Sequence, residues 1–155
     1  MARTLIFLAA AGSTLLLAGA YLFQFLGYLP CQMCLWQRWP HMAAIALGVL
    51  AFTVPHRAWA WAGALATALT AGIGIWHTGV ERALWDGPAS CTGGGGGALS
   101  GDLLSLDGPR LIMCDQVSWA FLGLSMPSWN ALFSLGLMVL WIAAARAPDP
   151  EETPL

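Results

Sequence analysis

Long apolar runs alternate with short polar segments along the chain. Four such runs cover about residues 4–26, 35–54, 58–77 and 127–145. Each has close to the roughly 20 apolar residues that a helix needs to cross a membrane. The runs are continuous, whereas a membrane β-barrel needs alternating strands of about ten residues. The pattern therefore predicts an all-α integral membrane protein, with a four-helix transmembrane bundle that makes a single domain over residues 1–155.

Local signals mark several helix ends. Ser125 is a possible N-cap of the fourth helix, and Pro127 is tolerated in its first turn. Pro40 leaves two alternatives for the second helix, which either kinks there or begins there. The first run continues past its small residues at 18–20 to Leu26, which favours a membrane helix over a cleavable signal peptide.

Small residues in the third run predict close helix packing.

Composition supports a membrane location. The chain has 155 residues, of which 58% are hydrophobic and 9% are charged. So few charges do not cover the surface of a soluble protein, and the high hydrophobicity excludes a disordered chain. The net charge is −2 and the sequence has no basic cluster, so nothing indicates binding to nucleic acid. Nine tryptophans suit the membrane–water interface.

The span count places every cysteine on one face of the membrane. The cysteines lie in the first and third connections, namely Cys31 and Cys34 within about residues 27–38, and Cys91 and Cys114 within about residues 78–126. Two spans separate these connections, so both face the same compartment. Both termini and the second connection then face the other side, and residues 146–155 are typical of a disordered tail.

The orientation is only weakly determined by charge. Three arginines fall on each side, Arg3, Arg57 and Arg146 with the termini and Arg38, Arg82 and Arg110 with the cysteines. If Arg82 and Arg110 are discounted because they lie in the long third connection, the excess of arginine near the membrane favours cytoplasmic termini. An even number of cysteines on one face suits an oxidising compartment, which favours the same orientation.

The first cysteine pair forms a CxxC motif, Cys31-Gln32-Met33-Cys34. Two intervening residues bring both sulfurs within bonding distance on a turn. The motif also precedes the second membrane helix, whose N-terminal partial charge stabilises a thiolate. Half of a zinc site and a static structural disulfide are the alternatives, although the spacing of the four cysteines is unlike compact zinc patterns.

The second pair, Cys91 and Cys114, brackets the glycine run 93–97. A glycine-rich connection lets a loop close and move. Two dithiols on one face suggest an electron relay by thiol–disulfide exchange. The alternative is a four-helix membrane subunit in which the cysteines form static disulfides.

Two further residues carry candidate chemistry near the cysteines. Arg38 lies four positions after Cys34, and a guanidinium at the membrane edge either serves a ligand or snorkels to lipid headgroups. His77 closes the third run at the same face, where an interfacial histidine bonded to water or lipid is the alternative. Glu81 and Arg82 are typical of a solvated loop.

The chain resembles the disulfide bond formation protein B family, DsbB. The resemblance covers nearly the whole chain and is carried by the motif CQMCLWQR at 31–38 and by WAFLGLSMPSW at 119–129, after Cys114. Vitamin K epoxide reductase-like proteins also use four helices for similar chemistry. They carry their CxxC motif late in the chain, whereas here it comes first.

The resemblance implies a path for electrons through all four cysteines. A reduced DsbA-like periplasmic thiol oxidase attacks the Cys91–Cys114 disulfide and forms a mixed disulfide with Cys91. Cys114 then exchanges with Cys31, which frees Cys34 beside a membrane quinone. This relay is the one that keeps the bacterial periplasm oxidising.

The resemblance also implies a cofactor and a location. Ubiquinone or menaquinone from the membrane pool is expected to bind beside Cys34, with Arg38 and His77 close to its ring, and no metal is expected. The protein is expected in the bacterial inner membrane with its cysteines facing the periplasm. Gln37 departs from the family, in which better-known members carry an acidic residue before the arginine.

Overall fold

Four helices make up most of the chain. The computed structural model describes residues 1–54, 56–91 and 112–148. Its helices are α1 (Ala2–Phe25), α2 (Gln32–Thr53), α3 (Arg57–Glu81) and α4 (Met126–Arg146). Two short strands, β1 (Ala120–Phe121) and β2 (Leu124–Ser125), precede α4. The glycine run 93–97 and residues 149–155 of the predicted tail lie outside the described residues.

Helices α1, α3 and α4 are long and apolar enough to cross a membrane, with mean hydropathies of 2.0, 1.4 and 1.6. Helix α2 has 22 residues and is therefore long enough to span the hydrocarbon core, but its first half carries Gln37, Arg38 and His41. These polar side chains are buried within the bundle. The predicted class, an all-α membrane protein built on four helices, is confirmed.

Small residues let the helices approach one another closely. Helix α3 packs against α2 and α4, and α1 packs against the same two helices. Gly63 of α3 faces the ring of Trp141 on α4, and Gly48 of α2 faces Ala10 on α1. Trp141 is completely buried in a core made mostly of alanine. Such contacts replace the hydrophobic effect, which contributes little between helices that are surrounded by lipid.

Helix α2 begins before Pro40, which settles the two alternatives for this helix. Cys31 is its N-cap residue, and Pro40 lies inside the helix. The CxxC motif therefore occupies the first turn of α2, where backbone N–H groups are free and the helix carries its partial positive charge.

A tight β-hairpin, made of β1 and β2, leads directly into α4. Ala120 pairs with Ser125 and Phe121 with Leu124, so two residues form the turn. Leu122 and Gly123 have φ angles of 51° and 76°, as a type I′ turn requires at both central positions. Ser125 is the N-cap residue of α4, as predicted, but its hydroxyl bonds to that of Ser128 and makes no capping bond to the backbone.

Candidate functional site

The two sulfurs of the CxxC motif lie together at the N-terminus of α2. The Cys31 thiol donates a hydrogen bond to the Cys34 sulfur at 2.7 Å, and the Cys34 backbone N–H donates to the Cys31 sulfur at 3.1 Å. The bond to Cys34, together with burial, raises the pKa of the Cys31 thiol above its ordinary value. Cys31 therefore keeps its proton, and Cys34 is the sulfur of this dithiol that can carry negative charge.

His77 reaches the dithiol from α3. Its Nε2 lies 3.4 Å from the Cys31 sulfur, and its Nδ1 lies 3.1 Å from the side-chain amide nitrogen of Gln37. The ring also makes a hydrogen bond with the backbone of Cys114. Its side chain is 2% exposed, so the alternative of an interfacial histidine bonded to water or lipid is wrong.

The second cysteine pair is adjacent to the first. Cys91 and Cys114 are joined by a disulfide, and the Cys114 N–H donates to the Cys91 carbonyl at 2.7 Å. Both belong to a buried cluster with Cys31 and Met33, and Cys34 packs against it. All four cysteines therefore lie in one cluster at one end of the bundle.

Three side chains at this end could together hold a metal ion. The ligand atoms of Cys31, Cys34 and His77 all lie within 4.8 Å of one another. Cys91 and Cys114 are bonded to each other here, so they offer no thiolates to a metal ion at this position. A three-ligand site remains chemically possible at the same position as the dithiol.

A cavity of about 390 Å³ opens beside Cys34, between α1, α2, α4 and the hairpin. Its wall is mainly apolar, and the polar side chains on it are Cys34, Gln37, Arg38, His41, Ser118 and Asn130. The volume falls in the range of small-molecule sites, which combine apolar walls with a few polar groups. His77 does not line this wall itself; it lies beside the dithiol and contacts Gln37, which does.

Arg38 is held inside the bundle. Its side chain is 9% exposed, and its Nη1 donates to Gln24 Oε1 on α1 at 2.8 Å. The guanidinium carbon lies 4.6 Å from the centre of the Tyr21 ring, within the range of a cation–π contact. The Nε–H group is buried and has no partner among the described residues. Arg38 thus does not snorkel to the headgroups, and it lines the cavity with one buried donor that has no partner among the described residues.

Aromatic rings cover the hairpin side of the cavity. Consecutive ring centres lie 5.0–6.4 Å apart along the series Phe23, Trp119, Phe121, Trp129 and Phe133, all of which line the cavity. The planes of neighbouring rings differ by 17–59°, so the rings form a continuous apolar wall of offset and tilted aromatics. Such a surface suits a planar ring carrying an apolar tail.

Several polar residues of this region did not emerge from the sequence. His41 and Asn130 lie on different helices, and His41 Nε2 is 2.9 Å from Asn130 Oδ1. Glu81 was predicted in a solvated loop but ends α3, is half-buried and bonds to Ser125. A strongly polar side chain inside an apolar run, as at Asn130, is the signal that could have identified this cavity-lining residue.

Comparison with known proteins gives a consistent family. The family model described as disulfide bond formation protein DsbB matches residues 2–144. The disulfide bond formation protein B of Methylococcus capsulatus is 37% identical, with 94% of this chain and 97% of the relative covered. The protein of the same name from Verminephrobacter eiseniae is 32% identical, over 96% and 93% of the two chains. No solved structure gives a significant match.

Proposed function

The chain belongs to the DsbB family of disulfide bond formation proteins, and from this membership we propose that it is a protein-dithiol:quinone oxidoreductase. It reoxidises a DsbA-like periplasmic thiol oxidase and passes the electrons to a membrane quinone. It resides in the bacterial inner membrane with both termini in the cytoplasm and its cysteines facing the periplasm. That the chain is a membrane protein of disulfide bond formation follows from its family alone.

One observation carries the proposal. Cys34 belongs to the dithiol that packs against the Cys91–Cys114 disulfide, and it also lines the apolar cavity. A single sulfur therefore connects a thiol-exchange site to a small-molecule site. Static disulfides would not need this connection.

The cavity fits a quinone by its chemistry. A bound quinone would accept two electrons, and its ring oxygens need hydrogen-bond donors. The unpartnered Arg38 Nε–H supplies a fixed donor in a wall with few polar groups, where such a bond is stronger than in water. The aromatic side chains from Phe23 to Phe133 supply an apolar wall against which the ring could pack. His77 faces the dithiol, so we assign it to Cys31 in place of the predicted contact with the quinone ring.

Each cysteine has one role in the proposed exchange. A thiolate of the partner oxidase attacks Cys91, and Cys114 leaves with the electron pair. Cys114 then attacks Cys31 of the oxidised Cys31–Cys34 pair, and Cys34 leaves as a thiolate. The partner's second thiolate then breaks the mixed disulfide, and the freed Cys91 breaks the Cys31–Cys114 bond, which restores the Cys91–Cys114 disulfide and leaves Cys31 as a thiol. The two electrons and two protons lost by the partner's dithiol would be taken up by the quinone from the Cys31–Cys34 pair, which is thereby oxidised again. Cys34 suits the role of leaving thiolate, because the Cys31 thiol is the one of the two that keeps its proton.

The test is a turnover assay with the purified full chain, a reduced thioredoxin-like oxidase and a short-chain ubiquinone analogue. We expect loss of the quinone's ultraviolet absorbance only when all three components are present. Cys34→Ser should abolish this loss while leaving the Cys91–Cys114 disulfide reactive toward the oxidase. Unchanged quinone turnover in Cys34→Ser would exclude the proposed electron path. A menaquinone analogue is tested in parallel, and failure of both quinones would contradict the proposal.

A metal-binding function is the second candidate, because Cys31, Cys34 and His77 can converge on one ion. A resident metal would block the dithiol, since a thiolate that ligates a metal is not free for exchange. Metal analysis of the purified chain separates the two functions. We expect far less than one metal ion per chain and turnover that a chelator does not change.

A further inference from the structure

A hydrogen-bonded chain of side chains crosses the bundle beneath the dithiol. It runs from His77 on α3 to Gln37 on α2, to Asn130 on α4 and back to His41 on α2. The three links measure 3.1 Å, 2.7 Å and 2.9 Å. Gln37, His41 and Asn130 all line the cavity, whereas His77 touches Cys31.

Two backbone carbonyls fix the direction of every bond in this chain. The amide nitrogen of Gln37 bonds to the Met33 carbonyl at 3.2 Å, so the oxygen of Gln37 must accept from Asn130 Nδ2. Thr70 donates its hydroxyl proton to the Gln37 carbonyl and therefore also accepts from Asn130 Nδ2, at 3.2 Å. Both bonds show that the amide nitrogen of Asn130 faces Gln37 and Thr70. Its amide oxygen therefore faces His41 and accepts a hydrogen bond from it.

The proton of neutral His41 is therefore on Nε2, and Nδ1 carries a lone pair. That Nδ1 atom is buried and has no partner among the described residues, and the side chain is only 3% exposed. A buried acceptor without a partner is unfavourable, because it has lost its hydrogen bond to water and gained none in the protein. The cavity beside His41 is the place from which a ligand could supply the missing donor.

We propose that His41 is a further ligand-binding residue of the cavity, and that its Nδ1 accepts a hydrogen bond from a hydroxyl of bound hydroquinol. The inference rests on the proposed quinone function. The oxidised ring carries two carbonyl oxygens, which accept hydrogen bonds but have no proton to donate to Nδ1. The reduced ring carries two hydroxyls, so it satisfies His41 and still accepts from Arg38 Nε–H.

This arrangement makes the cavity selective for the reduced form. A site that binds one state more tightly shifts the equilibrium toward that state by the difference in affinity. His41 thereby favours transfer of electrons from the dithiol to the ring. Arg38 contributes to the binding of both forms, because a carbonyl and a hydroxyl both accept its proton.

Two substitutions distinguish the roles of the two ring nitrogens of His41. In His41→Gln the amide nitrogen takes the place of Nε2 and can still donate to Asn130, but nothing replaces Nδ1 as an acceptor. In His41→Asn the amide oxygen takes the place of Nδ1, while the donor to Asn130 is lost. The pair therefore distinguishes a direct contact with the ligand from support of the hydrogen-bonded chain.

The readout is binding, measured with the full chain in detergent with both cysteine pairs oxidised, so that no dithiol reduces the ligand. Quenching of tryptophan fluorescence gives the Kd of decylubiquinone and of decylubiquinol under anaerobic conditions. We expect His41→Gln to raise the Kd of decylubiquinol about tenfold and to change that of decylubiquinone less than about twofold. His41→Asn should retain most of the preference for decylubiquinol.

Equal weakening of both ligands in His41→Gln would show that His41 only supports the fold of the cavity, and would overturn the inference. An unchanged ratio of the two Kd values would overturn it as well. Failure of the unsubstituted chain to bind either decylubiquinone or decylubiquinol would instead contradict the proposed quinone function, and that result is obtained before any variant is made.

Discussion

Cys31 and Cys34 differ in burial and hydrogen bonding although they belong to one motif. Cys31 is almost completely buried, donates a hydrogen bond to Cys34 and lies against His77. Cys34 is partly buried and lines the cavity. The residue types and spacing were enough to predict a reactive pair, but the burial of Cys31 involves contacts across the fold, such as that with His77, which is 46 residues away in the sequence.

The raised pKa of Cys31 predicts unequal alkylation of the reduced chain. A raised pKa means that the reactive thiolate of Cys31 forms only at higher pH, so at pH 7 iodoacetamide should modify Cys34 first. We expect Cys31 to react at least about tenfold more slowly, as peptide mass spectrometry will show. Cys34→Ala removes the largest cause of the shift and should move Cys31 alkylation to lower pH. Equal rates at both sulfurs would contradict this assignment.

Gln37 sets the tautomer of His77. Its amide nitrogen donates to His77 Nδ1, so the ring proton is on Nε2 and points to the Cys31 sulfur. In Gln37→Glu a carboxylate that only accepts replaces this donor, and we expect the ring proton to move to Nδ1. Nitrogen-15 NMR of labelled histidine should detect the change. His41 serves as the internal control, because its bond to Asn130 is retained. Identical His77 shifts in both proteins would refute the assignment.

Sequence patterns predicted the helices and the close packing of α3, but not which residues pack against each other. The continuous apolar runs predicted four helices, and the small residues of the third run predicted close contacts for α3. The contact partner was not predictable, because Trp141 approaches Gly63 from a helix more than 70 positions away. The hairpin before α4 was also not predicted, since Leu122 adopts a positive φ that its residue type disfavours.

Gly63 and Gly72 on α3 offer a matched test of this packing. A Cβ on Gly63 would overlap the buried Trp141 ring, whereas a Cβ on Gly72 would meet nothing within 4 Å. We expect Gly63→Ala to lower the free energy of unfolding by about 1–3 kcal/mol. Gly72→Ala should leave it unchanged or raise it by up to about 1 kcal/mol, because alanine favours helix. Thermal unfolding in detergent, followed by circular dichroism, measures both, and equal midpoints would contradict the packing.

The cavity is a property of the whole molecule. Its wall combines residues of α1, α2, the hairpin and α4, and no local pattern relates these segments. The sequence could predict that Arg38 needs a function or a partner, because a charge at the membrane edge is costly. Its actual partners, Gln24 and Tyr21, lie on α1 and depend on how the helices are arranged.

The orientation of the bundle in the membrane is the last prediction. The segments before α2 and after α3 are separated by two helices, so they must share one compartment, and thiol exchange with a periplasmic oxidase requires that this be the periplasm. Alkaline phosphatase, which is active only where disulfides form, reports the side. Fusions after Leu29 and Gly87 should be active, and fusions after His56 and Ala147 should be inactive. Activity in the opposite pair would place the cysteines in the cytoplasm, where glutathione and thioredoxin keep thiols reduced and a disulfide-generating relay would have no periplasmic partner to oxidise.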